Sequence, residues 1–143
     1  MSMETYFEIS ESGNLVRVEA LEYEYEGQDK RWIKSKITVK GGSFKGEYAA
    51  DIMSFDFASF RKNFDSLYDN LSGVAEFYDI EEYLNLKIKG DGFGHFEMKV
   101  QACDKPGVDA SYLTFSIVFD QTYIKGISKQ LKNITDKFPV KGF

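Results

Sequence analysis

Residues 84–102 read LNLKIKGDGFGHFEMKVQA, and this stretch gives the clearest indication of the fold. Apolar side chains stand at every second position on both sides of a glycine-rich segment: Leu84, Leu86 and Ile88 before it, and Phe96, Met98 and Val100 after it. A period of two residues is typical of strands with one buried face. Gly90-Asp91-Gly92 has the chemistry of a tight turn. The stretch therefore predicts an antiparallel hairpin with one face in the core.

The same alternation predicts six further strands, so that the chain carries two groups of four. The first group covers Tyr6–Ile9, Val16–Tyr25, Ile33–Val39 and Phe44–Ile52. The second group covers Val74–Asp79, Tyr83–Lys89, His95–Ala102 and Tyr112–Phe119. In the second strand the period slips by one residue, which predicts a β-bulge near Ala20 and Leu21.

Each group of strands is followed by a segment with helical spacing. The first helix is marked by Phe57, Phe60, Phe64, Leu67 and Leu71, with Ser54 or Asp56 as its N-cap and Ser72-Gly73 at its end. The second begins near Asp120, carries Ile124, Ile127, Leu131, Ile134 and Phe138, and stops at Pro139. The short connections favour antiparallel pairing. We therefore predict one α+β domain over residues 1–143, with a twisted antiparallel sheet or pair of sheets of about eight strands, in the order ββββα-ββββα, covered by two amphipathic helices.

Composition limits the classes of function. The chain has 143 residues, 43% of them hydrophobic and 29% charged, which is typical of one soluble globular domain. A formal charge of −5 disfavours nucleic-acid binding, which rests on positive charge. No apolar run approaches the roughly 18–20 residues of a membrane span. The start lacks a signal-peptide pattern, and one cysteine, Cys103, suits a reducing compartment, so we expect a cytoplasmic protein.

Residues with catalytic or metal-binding chemistry are sparse. His95 is the only histidine and has no nucleophile motif near it, and Cys103 has no partner at a recognisable spacing. No C-x-x-C or H-x-x-x-H pattern occurs, and the glycines at 90, 92 and 94 open no helix that could hold a phosphate. The sequence predicts no catalytic residue, no metal ligand and no cofactor.

Negative charge is concentrated in two segments. Residues 1–30 hold eight acidic and two basic side chains, and residues 63–82 hold six acidic and none basic. Such segments fit either a solvated surface or an electronegative surface that attracts a basic partner. Tyrosine beside the carboxylates favours a protein interface. We predict these partner-binding residues: Glu22, Tyr23, Glu24, Tyr25, Glu26, Asp29, Asp65, Asp69, Tyr78, Asp79, Glu81 and Glu82.

Three parts of the chain carry a family resemblance. They are Asp29–Lys34 with Ile37–Val39 and Gly42–Gly46; Phe60, Leu67 and Leu71 with Gly73–Phe77; and Leu113–Phe115 with Phe119–Ile124 and Phe138-Pro139. These stretches resemble the WapI family of immunity proteins, from about Leu21 to Pro139. The most specific piece is Asp120-Gln121-Thr122-Tyr123 before an amphipathic helix.

The resemblance implies a non-enzymatic bacterial antidote in the cytoplasm that binds a cognate toxin domain, often a nuclease. An acidic surface would complement the basic active site of such a toxin. Two alternatives stay open from the residues alone. One is a small-ligand-binding or hydrolytic domain with a sheet-face pocket lined by Trp32, Tyr48, His95 and Glu97. The other is a scaffold or oligomer subunit, for which a homodimer is left open.

Overall fold

Two four-stranded antiparallel sheets, each followed by a helix, make up the fold of this computed structural model, which describes residues 5–24 and 31–140. The first sheet has the order β1 (Tyr6–Glu11), β2 (Asn14–Tyr23), β3 (Trp32–Gly41), β4 (Phe44–Met53), and α1 (Ser54–Asn70) follows it. The second has the order β5 (Ser72–Tyr78), β6 (Leu84–Asp91), β7 (His95–Cys103), β8 (Tyr112–Asp120). A 3-10 turn (Gln121–Tyr123) leads into α2 (Ile124–Lys137). The α+β prediction and its element order are confirmed.

Phenylalanine rings hold the two sheets and α1 together. The ring of Phe60 on α1 lies 5.4 Å from that of Phe7 on β1 and 5.5 Å from that of Phe77 on β5. All three side chains are fully buried, and each contributes about 1.5–3 kcal/mol by leaving water. Because Phe60 contacts both sheets, the position of α1 is set by both of them.

The second helix packs on α1 and covers the edge of the first sheet. Gln130 of α2 accepts a hydrogen bond from the Glu8 backbone N–H at 2.9 Å, which occupies a donor on the outer edge of β1. Between the helices, Arg61 donates to the Thr135 hydroxyl at 2.7 Å, and Ser128 donates to Asp65 at 2.6 Å. These polar contacts fix how α2 lies against α1.

Helix ends differ in detail from the sequence prediction. Met53 is the N-cap of α1, and Asp56 accepts a hydrogen bond from the Met53 N–H at 3.2 Å, so Asp56 caps from inside the first turn. Leu71, in a left-handed conformation with φ of 58°, ends α1, and Ser72 already belongs to β5. The register shift between Ala20 and Glu22 confirms the predicted bulge.

Gly90 on β6 is required by its contacts with the end of α1. A Cβ atom there would lie 2.6 Å from the Leu71 carbonyl oxygen and 2.9 Å from the Phe96 ring. Neither neighbour is the free end of a flexible side chain. Gly126 in α2 is the opposite case, because a Cβ atom there would meet nothing within 4 Å.

We predict opposite stability changes for alanine at these two glycines. Gly90→Ala should lower the free energy of unfolding by about 1–3 kcal/mol through overpacking. Gly126→Ala should raise it by about 0.5–1 kcal/mol, because it stiffens a helix without a clash. Urea denaturation followed by Trp32 fluorescence measures both. Equal stability of Gly90→Ala and the wild type would contradict the assigned contact.

Candidate partner-binding surface

The first acidic segment lies on the outer face of the first sheet. In the register of the sheet, Glu22 pairs with Lys34, and Lys34 pairs with Asp51, so the three side chains share one face. The Lys34 Nζ lies 3.7 Å from a carboxylate oxygen of Glu22. Glu24 continues this edge, since its N–H donates to the Trp32 carbonyl at 2.8 Å.

Asp51 connects the two acidic segments. A hydrogen bond between the carboxyl groups of Glu24 and Asp51 raises the pKa of Glu24, and repulsion between them adds to the effect. Burial raises the pKa of the Tyr83 hydroxyl, and the nearby carboxylates of Asp51 and Glu81 raise it further. The carboxylates of this surface are thus connected through Asp51, which acts on Glu24 and, together with Glu81, on the Tyr83 hydroxyl. We call them the acidic rim: Glu22, Glu24, Asp51, Glu81 and Glu82.

Beside the rim lies a groove with a volume of about 430 Å³ between the end of β4, the start of α1 and the end of β5. We call it the Phe55 groove; its lining residues are Met53, Phe55, Asp56, Ser59, Glu76, Tyr78 and Ile80. Three large side chains at its walls are open to solvent: Phe55 is 55% exposed, Tyr78 50% and Ile80 66%. Clustered exposed apolar groups mark interaction sites more often than single ones do.

Asp56 gives the groove a carboxyl group with unusual acidity. Burial raises its pKa from 3.8 to about 6, although the hydrogen bond from the Met53 N–H opposes the shift. The carboxylate of Asp79 raises this pKa further. A cation placed beside Asp56 would stabilise the charged carboxylate and so offset the cost of burying that charge.

Asp79 does not belong to the exposed surface in which the sequence placed it. Its side chain is 1% exposed, and its two oxygens accept hydrogen bonds from the N–H groups of Tyr83 at 3.1 Å and Leu84 at 2.9 Å. The Glu82 N–H also donates to its backbone carbonyl at 2.9 Å. Asp79 therefore shapes the turn that presents Glu81 and Glu82, and we leave it out of the proposed surface.

The other predicted residues occupy several places. Tyr78 donates from its hydroxyl to Glu82 at 3.2 Å and thus joins groove and rim. Tyr23 is half-buried, with its ring 5.1 Å from that of Phe138. Asp65 accepts a hydrogen bond from Ser128 of α2 and lies 3.6 Å from Arg61 on its own helix. The exposed Asp69 follows one turn later. Tyr25, Glu26 and Asp29 lie outside the described residues.

Several residues of this surface were missed at the sequence level, and two of them left a signal. Phe55 lies outside the apolar stripe of α1 that begins at Phe57, so its place in the sequence indicates a large apolar side chain at an exposed position. Ile80 is an apolar residue in an acidic turn. Asp51 gave no such signal, because its approach to Glu24 depends on the strand that lies between them.

A groove of about 330 Å³ on the second sheet is lined by His95 and Glu97, but Trp32 and Tyr48 do not reach it. Tyr48 faces inward, and its hydroxyl donates to the Tyr83 carbonyl at 2.7 Å, whereas Trp32 lies on the opposite face of the same sheet. His95 and Glu97 lie on the outer face of the second sheet. The His95 side chain is 68% exposed and lies 3.3 Å from Asp91. The prediction that these four residues line one pocket is wrong.

Two further observations apply to residues 5–24 and 31–140. No three side chains of histidine, cysteine, aspartate or glutamate in these ranges are placed to hold a metal ion. No helix there combines the length and the apolar character that a bilayer crossing requires.

Comparison with protein families gives a match over most of the chain. The model of the immunity protein WapI-like family matches residues 7–139. The chain belongs to this family. Among curated proteins, none matches. Membership of this family suggests a role in toxin immunity.

Several solved structures share the fold, and they belong to proteins that are described by other functions. The plant transcriptional regulator PBF-2 matches with a TM-score of 0.54 and 12% identity, over 96% of this chain and 84% of that chain. A guide-RNA-binding protein complex bound to a gRNA matches with 0.53 and 13%, over 94% and 92%. WHY1 from Arabidopsis thaliana matches with 0.54 and 10%, over 96% and 86%. At this identity the likeness concerns the fold alone.

The raised pKa of Asp56 predicts a pH dependence of stability. Between pH 3.8 and about 6 the folded state keeps a proton that the unfolded chain loses. The stability contributed by Asp56 is therefore fully present below pH 3.8 and is lost as the pH rises through about 6. Asp56→Asn should remove this part of the profile.

Urea denaturation of both proteins across this interval measures the effect. The free energy of unfolding of the wild type minus that of Asp56→Asn should decline as the pH rises. The raised pKa of Asp79 is present in both proteins, so its contribution largely cancels in the difference. A difference that stays constant or increases with pH would contradict the burial of Asp56.

Proposed function

We propose that this WapI-like immunity protein neutralises a cognate polymorphic toxin by binding its toxic domain, with no catalytic step. The observation that carries the proposal is the family match over residues 7–139. The acidic rim and the Phe55 groove are the proposed contact surface, since they combine carboxylates with exposed apolar side chains. Interfaces draw most of their binding energy from aromatic anchors of this kind.

Charge explains how such a surface would act. A toxin that cleaves nucleic acid needs a basic active site to hold a polyanion. The rim offers Glu22, Glu24 and Asp51 with Lys34 as a neighbouring cation, so negative charge exceeds positive charge there. Long-range attraction of this kind accelerates association and weakens with added salt. We therefore favour a nuclease as the toxin.

The outer face of the first sheet argues against direct binding of nucleic acid, although one structure with this fold is bound to a gRNA. Several of its basic side chains face carboxylates: Arg17 lies 3.6 Å from Glu8 and 3.7 Å from Glu19, and Lys36 lies 3.2 Å from Glu47. A chain with a formal charge of −5 also repels a phosphate backbone. We therefore propose a protein partner.

We place this activity in the cytoplasm and assign it no cofactor. The thiol of Cys103 is free and buried, which suits a reducing compartment. A homodimer stays a prediction, and light scattering of the purified chain tests it.

Co-expression tests the proposal. The toxin domain encoded beside this chain should stop growth of a bacterial host, and this chain should restore growth and co-purify with that domain. Failure of both rescue and co-purification, with both proteins soluble, would overturn the proposed function.

We predict that the rim controls the rate of association. Glu22→Lys combined with Glu81→Lys should slow binding of the toxin domain about tenfold at low salt and flatten the salt dependence. Dissociation should change less, because exposed charges act mainly during approach. Stopped-flow fluorescence at several salt concentrations measures these rates.

A matched control separates local from global charge. Glu97→Lys combined with Asp136→Lys makes the same change in net charge on β7 and α2, away from the rim. This variant should associate nearly as fast as the wild type. Equal slowing in both variants would show that net charge, and not the acidic rim, guides the partner.

A further inference from the structure

The Phe55 groove differs in character from the rest of the acidic surface. The rim is exposed and contains the ion pair of Lys34 with Glu22. The groove is concave, and it has apolar walls formed by Phe55 and Ile80. A concave site with apolar walls and few polar groups is suited to one inserted side chain.

Its polar groups come from two different elements. Asp56 and Ser59 extend from the first turns of α1, and Glu76 and Tyr78 extend from the outer face of β5. The groove thus offers carboxylates from two walls. Lys87 is the cross-strand neighbour of Glu76, and Lys89 lies on the same face of β6 opposite Val74.

We infer that the Phe55 groove binds an arginine side chain presented by the partner protein. The inference rests on the proposed function and names the chemistry that the same surface recognises. The guanidinium group would donate to Asp56 and Glu76, and its planar face would lie on the rings of Phe55 and Tyr78. The aliphatic part of the side chain would contact Ile80 and Met53.

Arginine fits these walls better than other occupants. Its planar group donates up to five hydrogen bonds and stacks on aromatic rings, whereas lysine offers a compact, strongly hydrated charge. An aliphatic side chain would leave Asp56 and Glu76 in a covered site without a cation, which is costly. A second copy of this chain would bring the same carboxylates against themselves, and like charges oppose that contact.

A short peptide tests the site without the toxin. The probe is a blocked pentapeptide with one arginine between two leucines, and its control carries citrulline, which has the same shape and no charge. In an amide NMR titration at neutral pH, the arginine peptide should shift the signals of residues 55–59 and 76–80. The citrulline peptide should bind at least about fivefold more weakly than the arginine peptide.

Variants locate the effect. Glu76→Gln keeps the size of the side chain and should weaken binding of the arginine peptide about fivefold, while Glu97→Gln on β7 should leave it unchanged. Equal binding of both peptides, or shifts confined to other parts of the chain, would overturn the inference. Unchanged circular dichroism confirms that each variant is folded.

Toxin kinetics separate the two proposals. Phe55→Ala and Glu76→Gln should speed dissociation of the toxin domain about tenfold or more, because buried anchors act on dissociation. If the wild type binds the toxin and neither variant changes dissociation, the groove inference fails and the proposed function stands. If the wild type binds no toxin, the proposed function fails, and the peptide titration alone decides the groove.

Discussion

The contact of Phe60 with rings from both sheets is the constraint on which the rest of the structure depends. Phe7 belongs to the first sheet and Phe77 to the second, and Phe60 on α1 touches both. Burial of these rings fixes α1 across the two sheets. The start of α1 then lies beside the ends of β4 and β5, and this position creates the Phe55 groove.

Much of the fold could be predicted from the sequence because apolar periodicity is a local property. Alternation at Leu84, Leu86 and Ile88 needs only one buried sheet face, and the spacing from Phe57 to Leu67 needs only one buried helix face. The bulge at Ala20 followed from the same reasoning, since one extra residue reverses the phase. Such local patterns do not show which residues of the two sheets come into contact.

The candidate surface was predicted less completely, since its parts meet through tertiary structure. Glu22 and Glu81 could be identified as acidic, but their common surface depends on Asp51, which lies on β4. Asp79 looks like its acidic neighbours in sequence, yet two backbone N–H groups hold its carboxylate inside the turn. Trp32 and Tyr48 face opposite sides of one sheet, so they could not share a pocket.

A shared fold does not imply a shared function, because function depends on sites and not on architecture. On the proposed function, the partner covers the end of the molecule that carries the acidic rim and the Phe55 groove. Hydrogen–deuterium exchange with and without the toxin domain tests it most directly. We expect added protection in residues 51–59 and 76–83. Protection confined to β7, β8 or α2 would contradict it.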